Sequence, residues 1–194
     1  MIILIFRIKK KIDLHFKKVI NAYRIFEIKT LYPERFFYQK KLNFGNFFAV
    51  HFDQSKSIVN IGNQVEFRDH CQIRCGNNGK VTLGAHIFFN NHCSINCLSS
   101  IDIGNDCQFG EGVKFYDHNH QFSNLSLKIN EQGYSFGSIH IGSNCWVGSN
   151  VIILKNVTIG DNVVIGAGCI IHKSVPSNTI IFNKQQLEQR VIEI

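Results

Sequence analysis

Beyond residue 57 the chain repeats a short pattern of an aliphatic residue, any residue, a second aliphatic residue and a glycine. From Ile141 to Ile171 an aliphatic residue stands at every sixth position without a break. A period of six fits neither an α-helix, with 3.6 residues per turn, nor a single strand, with a period of two. It is typical of short strands joined by sharp corners, with three faces to a coil. The pattern occurs five times, at Val59–Gly62, Val81–Gly84, Ile101–Gly104, Ile139–Gly142 and Val157–Gly160.

A second column of small or β-branched residues follows four positions after the first, for example at Val151, Val157 and Val163. Since both columns recur every six residues, they predict two inward-facing positions on each face of a coil. We expect the Gly, Asn and Asp residues that follow the aliphatic positions to supply corners with positive φ. Internal repeats of this size indicate a solenoid. The sequence therefore predicts an all-β solenoid over residues 58–181 and a C-terminal tail over residues 182–194.

Seven cysteines stand in this region, and five of them occupy the small inward column. Buried free cysteine packs as a small apolar residue, so we expect a packing role. The odd count argues against a disulfide framework, and the lack of a Cys-x-x-Cys pair argues against zinc. The five in the column are Cys71, Cys93, Cys107, Cys145 and Cys169, while Cys75 and Cys97 are expected near corners.

Residues 1–57 have a different composition from the rest. They carry 12 Lys and Arg against 4 Asp and Glu, whereas the remaining residues carry 9 against 10. Apolar and aromatic residues recur there at loosely helical spacing, which predicts a basic, partly helical segment. Two interpretations stay open. The segment caps the open end of the solenoid, or it contacts a membrane surface or a polyanionic glycan.

The first six residues are apolar, but a membrane span needs about 20. The basic residues follow the apolar run, whereas in a signal peptide they precede it, and no small-residue cleavage site is present. The sequence therefore does not predict a signal peptide. We therefore expect a cytoplasmic protein, either free or at the inner face of the membrane. No nucleic-acid-binding motif accompanies the basic residues, so no nucleic-acid partner is predicted.

The repeat breaks once, where about 20 extra residues separate Phe115 from Ile139. Long insertions in a solenoid form loops, and long loops are usually functional. The predicted loop, residues 117–138, opens with Asp117, His118 and His120. An imidazole suits proton transfer near neutral pH, so these histidines are the best candidates for a general base.

The repeats and the loop at their break resemble the hexapeptide-repeat acyltransferases, in particular the capsule and polysaccharide O-acetyltransferases. The resemblance implies a left-handed parallel β-helix and a homotrimer with active sites between subunits. It also implies acetyl-CoA as the acyl donor and a saccharide hydroxyl as the acceptor, of the capsule, O-antigen or sialic acid type. No metal is expected.

The same resemblance implies roles for single residues. His120 would be the general base, with His118 and Asp117 beside it, and Asn90 would bind the acceptor. Trp146 would shape the acetyl site, and it belongs to the set expected to contact coenzyme A: Trp146, Gly148, Ser149, Ala167, Gly168 and Lys173. For Asn90, a purely structural place at a corner is the alternative.

Two other functions remain open from the sequence. One is a metal-dependent enzyme similar to the γ-class carbonic anhydrases, which needs three well-placed histidine ligands. The other is a β-helix scaffold without catalytic activity.

Overall fold

A computed structural model describes residues 2–53, 56–184, 188, 190 and 191; within the first helix, side chains are described at residue 16 and from residue 18 onward. A single long helix, α1 (Ile2–Leu31), precedes three parallel sheets. Most of the predicted C-terminal tail, residues 182–194, lies outside the described residues.

The three sheets form the faces of a triangular solenoid, and each coil contributes one strand to each face. Sheet A contains β1 (Phe36–Tyr38), β4 (Ile58–Ile61), β7 (Lys80–Leu83), β10 (Ser100–Ile103), β15 (Ser138–Ile141) and β18 (Val157–Ile159). Sheet B contains β2 (Leu42–Phe44), β5 (Val65–Phe67), β8 (Phe88–Phe89), β11 (Gln108–Phe109), β16 (Trp146–Val147), β19 (Val164–Ile165) and β21 (Ile180–Ile181). Sheet C contains β3 (Ala49–Phe52), β6 (Gln72–Cys75), β9 (Ser94–Cys97), β12 (Lys114–Tyr116), β17 (Ile152–Leu154) and β20 (Ile170–Ile171).

This architecture is the predicted left-handed parallel β-helix, with an N-terminal helix at one end. Each predicted repeat starts a coil in sheet A, and the aliphatic positions pair in register from coil to coil, as Ile101 does with Val81 and Ile139. Both predicted columns are buried, so the core is a stack of aliphatic layers.

The solenoid begins one coil earlier than residue 58. Phe36 pairs with Val59, Leu42 with Val65 and Val50 with Ile73, so residues 36–52 form a complete first coil. The predicted boundary missed this coil because its repeat is degenerate. Aromatic residues replace the aliphatic ones in β1, and Gln39 stands where later coils have glycine.

The glycines of the repeat serve a different purpose from the one expected. Their φ values are not positive, and the positive-φ corner lies two residues later, at His86, Asp106 or Asn144 for example. Glycine is needed because successive coils approach closely. A Cβ added to Gly104 would lie 2.7 Å from the backbone of Gly142. The expectation that these glycines supply the positive-φ corners was therefore wrong.

Helix α1 closes the open end of the solenoid. The Asn21 side chain accepts a hydrogen bond from Phe44 N and donates one to Leu42 O, both at 2.8 Å, as a neighbouring strand would. Arg24 donates to the Gly45 carbonyl, and Ile28 is buried in the core. The edge strand is thereby protected from pairing with other chains. Among the described residues, no helix is both long enough and apolar enough to cross a membrane.

All seven cysteines are buried free thiols. Most lie above one another in neighbouring coils; Cys75 and Cys97, for example, are register partners in β6 and β9. The hydrogen bond to the partner thiol, followed by burial, raises the pKa of Cys93, Cys97 and Cys107. The same hydrogen bonds lower the pKa of the partner thiols Cys71 and Cys75, and lower that of Cys145 to about 7. The burial of all seven thiols agrees with the packing role that we expected.

Candidate active site

The insertion forms a β-hairpin rather than an irregular loop. Strand β13 (His118–His120) pairs antiparallel with β14 (Tyr134–Phe136), and a 3₁₀ turn at Ile129–Glu131 lies between them. The Lys155 ammonium donates to Ser135 Oγ at 2.6 Å and ties the hairpin to the solenoid. Since residues two apart on a strand share a face, the two histidines project from the same side of β13.

Asp117 and His118 form a hydrogen-bonded dyad at the edge where sheet C meets sheet A. The Asp117 side chain is fully buried, and its carboxylate accepts hydrogen bonds from Leu98 N at 2.9 Å and Ser99 N at 2.7 Å. The Nδ1 atom of His118 lies 2.9 Å from Asp117 Oδ1. These donors compensate a buried carboxylate for the water that it has lost.

This arrangement fixes the tautomer of His118. A carboxylate only accepts hydrogen bonds, so Nδ1 carries the proton and Nε2 carries the lone pair. The His118 side chain is 17% exposed, which leaves the imidazole accessible but constrained. The dyad therefore presents an oriented base at the hairpin root.

His120 lies in a different environment. It is exposed, and within the described residues its ring contacts only Tyr134, at 4.5 Å between centroids and a tilt of 42°. Tyr134 also meets the His118 ring edge-on at 5.3 Å. No carboxylate in the described part of the chain orients His120, so the geometry singles out His118, whereas the sequence resemblance points to His120. The choice between them stays a prediction.

Trp146 lies on sheet B, away from the dyad. Its side chain is 59% exposed and lines an open groove of about 380 Å³ together with Gln108, Asn144 and Val164. A volume in this range suits a small-molecule site. The groove runs across coils four to six.

The corner after Trp146 offers one backbone donor. Gly148 N donates to Ile165 O at 2.7 Å, so it is already engaged. The amide of Ser149 makes no hydrogen bond within the described part of the chain. A Cβ on Gly148 would lie 2.6 Å from Ala167 N, so the glycine is required by coil stacking.

The other residues that were predicted to bind a ligand near this corner lie at the same corner of other coils. Gly168 has a φ of 72°, a conformation that favours glycine, and its amide donates to Ser149 O at 2.8 Å. Ala167 is exposed. Asn90 lies on the corresponding corner two coils below, where its side chain accepts a hydrogen bond from Asn91 N at 2.8 Å. That contact is compatible with a structural place at the corner, and acceptor binding by Asn90 stays a prediction.

The predicted site residues thus divide between two edges of the solenoid. Asp117, His118 and Lys173 lie on or beside the edge between sheets C and A, and the hairpin carrying His120 springs from it. The second set lies on sheet B and on its edge with sheet C: Asn90, Trp146, Gly148, Ser149, Ala167 and Gly168. Sheet C separates the edges, and a face six residues wide measures roughly 20 Å.

Sequence reasoning missed Tyr134, Ser135 and Lys155, which position the hairpin and its histidines. Their only signal is the alternation of Tyr134 and Phe136, which is typical of a strand returning beside the histidines. Within the described residues, no three His, Cys, Asp or Glu side chains are grouped to hold a metal ion.

Similarity to known proteins agrees with this geometry. Residues 138–173 match the family described as bacterial transferase hexapeptide (six repeats). No curated protein matches the chain.

Two solved proteins share the fold. The N-acyltransferase AntD from Bacillus cereus, in complex with dTDP and 3-hydroxybutyryl-CoA, has a TM-score of 0.63 and 20% identity over 80% of this chain and 82% of its own. A variant of AntD was solved with dTDP-4-amino-4,6-dideoxyglucose and coenzyme A; its TM-score is 0.65, at 19% identity over 81% and 84% of the two chains. The polySia-specific acetyltransferase NeuO has a TM-score of 0.53 and 21% identity over 75% and 66%.

The fold and the split site define a parallel β-helix with a histidine–aspartate dyad at the root of an inserted hairpin. Residues 138–173 match the hexapeptide repeat of bacterial transferases, and the remaining coils continue the same parallel β-helix.

Proposed function

We propose that this protein is a coenzyme A-dependent acyltransferase that transfers an acetyl group from acetyl-CoA to a hydroxyl of a sugar or surface polysaccharide. The observation that carries the proposal is the Asp117–His118 dyad at the root of the hairpin. A hydroxyl attacking a thioester must lose its proton as the new bond forms, and an oriented imidazole is suited to accept it.

In this proposal His118 Nε2 is the general base, and Asp117 stabilises the imidazolium that forms. The acceptor oxygen attacks the thioester carbonyl carbon, and its proton passes to Nε2. The carbon–sulfur bond then breaks, and the imidazolium returns the proton to the departing thiolate. His120, named by the sequence resemblance, is the alternative base.

The second edge would hold the acyl donor. Trp146 offers an exposed aromatic face, and the Ser149 amide is a donor available to the thioester oxygen. One such donor is worth roughly 10²–10³ in rate where it meets developing negative charge. Small residues at Ala167 and Gly168 would let an extended pantetheine arm lie close to the backbone, and Lys173, from the dyad edge of a neighbouring subunit, would meet its phosphates.

The two edges of one subunit are too far apart to act on one acyl group. We therefore propose a homotrimer in which the dyad edge of one subunit faces sheet B of the next. In a closed ring every subunit contributes both edges, so three sites are completed.

The test is an acyl-transfer assay on the purified full chain. Acetyl-CoA and 3-hydroxybutyryl-CoA are each offered with a panel of sugars that present hydroxyl or amino acceptors, and thiol release and product mass are recorded. We expect acetyl-CoA with a hydroxyl acceptor to be the productive pair. Exclusive transfer to amino sugars would contradict the O-acetyl assignment, as AntD is an N-acyltransferase.

Two further measurements address the alternatives. Absence of coenzyme A binding by calorimetry would favour a scaffold without catalytic activity. Stoichiometric zinc or iron in the purified protein, with activity lost on chelation, would favour a metal-dependent enzyme of the carbonic anhydrase type.

A further inference from the structure

The face of α1 that points away from the solenoid carries a continuous apolar stripe. Phe16, Val19, Tyr23 and Phe26 are 66%, 55%, 64% and 68% exposed. Their spacing of three, four and three residues places them along one side of the helix. Large apolar side chains in such a row cost free energy in water unless a partner covers them.

The seating of the helix fixes where this stripe faces. Asn21 bonds to β2, Lys29 lies over the Tyr38 ring at the end of β1, and Tyr32 packs on Phe52 at the end of β3. The helix and the residue that follows it thus contact all three sheets, and the helix lies across the end of the solenoid. Asn21, Arg24 and Ile28 form the seated face, and the stripe lies about half a turn away from it. It therefore faces outward along the solenoid axis.

The charge of α1 indicates the kind of surface that would cover the stripe. The helix contains eight Lys and Arg residues against Asp13 and Glu27, and Lys18 is exposed beside the stripe. An apolar face bordered by basic residues is the pattern of helices that lie in the interface of a bilayer. Over its described residues α1 does not reach the mean hydropathy that a membrane span needs.

We propose that α1 binds the surface of an anionic lipid bilayer, with Phe16, Val19, Tyr23 and Phe26 entering the headgroup boundary. The lysines are attracted by the negative surface potential, while the stripe gains by burial among acyl chains. This inference goes beyond the proposed acyl transfer and does not depend on it.

Two other occupants fit the observations less well. A polyanionic glycan would use the positive charge but would leave the four apolar side chains in water. A second copy seated on the stripe would bring two strongly basic helices face to face, which like-charge repulsion disfavours.

The experiment is co-sedimentation of the full chain with large unilamellar vesicles. One set contains phosphatidylcholine alone, and the other contains roughly one-third phosphatidylglycerol, a fraction within the anionic range of natural leaflets. We expect binding to the anionic vesicles that weakens as salt rises from about 0.1 M to about 0.5 M, because ions screen the attraction. The double variant Val19→Glu/Tyr23→Glu should bind at least about tenfold more weakly. It removes two apolar side chains that would be buried in the bilayer, and its new carboxylates are repelled by the anionic lipids.

The matched control is Leu125→Glu/Ile129→Glu, which makes the same charge change at exposed apolar positions of the hairpin, 98% and 57% exposed. It should bind vesicles like the wild type. Equal binding by wild type and Val19→Glu/Tyr23→Glu would overturn the proposal, and so would a wild type that ignores anionic vesicles. Analytical ultracentrifugation without lipid separates the remaining case: a smaller assembly in the Val19→Glu/Tyr23→Glu variant would show that the stripe contacts another copy, and would also overturn it.

Discussion

The two edges that flank sheet C hold different kinds of chemistry. On the edge toward sheet A, the reactive groups belong to side chains, because the buried Asp117 carboxylate orients His118 through a 2.9 Å hydrogen bond. On the edge toward sheet B, the backbone dominates, since Gly148 allows close approach of the coils, Gly168 adopts a positive φ and Ser149 presents an amide. The first edge suits proton transfer, and the second suits an extended ligand. The face between them keeps the two edges apart within one chain.

The largest effect should come from removing the oriented base. We expect His118→Ala to lower kcat by about 10²–10⁴, the usual contribution of general base catalysis. His120→Ala is the matched variant, two residues along the strand on the same face, and should cost less than about tenfold because no carboxylate of the described residues orients that ring. Steady-state kinetics on both variants, with coenzyme A binding measured by calorimetry, separates chemistry from donor affinity. If only His120→Ala abolishes turnover, then the base is His120, as the sequence resemblance implies.

The second prediction tests whether the edges meet between subunits. His118→Ala damages one edge and Trp146→Ala damages the other, and each homogeneous protein should be weakly active. Mixed trimers isolated after co-expression should regain about a third of wild-type activity, because one interface in three of each such trimer brings two intact edges together. Activity is measured on a mixture purified through two different tags. A mixture no more active than the average of its parents would mean that each site lies within one chain.

The regular part of the molecule was predictable because its physics repeats. An inward column such as Ile141 to Ile171 satisfies the same packing rule in each coil, so periodicity alone located coils two to six. The first coil was not predicted because Phe36 and Tyr38 occupy its aliphatic positions. Aromatic side chains pack into the core at these positions, but they do not match the aliphatic pattern of the repeat.

The candidate site was predictable only in part. The break in the repeat located Asp117, His118 and His120, but it did not rank the two histidines. Their ranking depends on Leu98 N and Ser99 N, backbone donors from the preceding coil that bear no side-chain signature. The position of the hairpin depends in turn on Lys155, which lies a coil away from the dyad.

A smaller effect is expected from Tyr134, which contacts both histidine rings. Tyr134→Ala should lower kcat about tenfold by loosening the hairpin side chains, since a misplacement of about 1 Å can cost up to 10² in rate. Tyr134→Phe retains the ring and should restore nearly full activity. Comparing kcat with KM for the acceptor distinguishes two roles. A rise in acceptor KM with unchanged kcat would show that the ring binds the sugar and does not position His118.

The smallest effect should come from Lys173, an exposed residue on the corner after β20. If its ammonium meets the phosphates of coenzyme A, Lys173→Ala removes one solvent-screened charge pair worth roughly 0.2–1 kcal/mol. The KM for the acyl donor should then rise by no more than about fivefold while kcat is unchanged, the pattern of lost uniform binding. Lys80→Ala, an exposed lysine on sheet A in the third coil, is the control and should change neither value. The difference should shrink in about 0.5 M salt, where the Debye length is only a few ångströms. A lower kcat in Lys173→Ala would instead show that this lysine, which lies beside the dyad edge, takes part in the chemistry and does not only bind the donor.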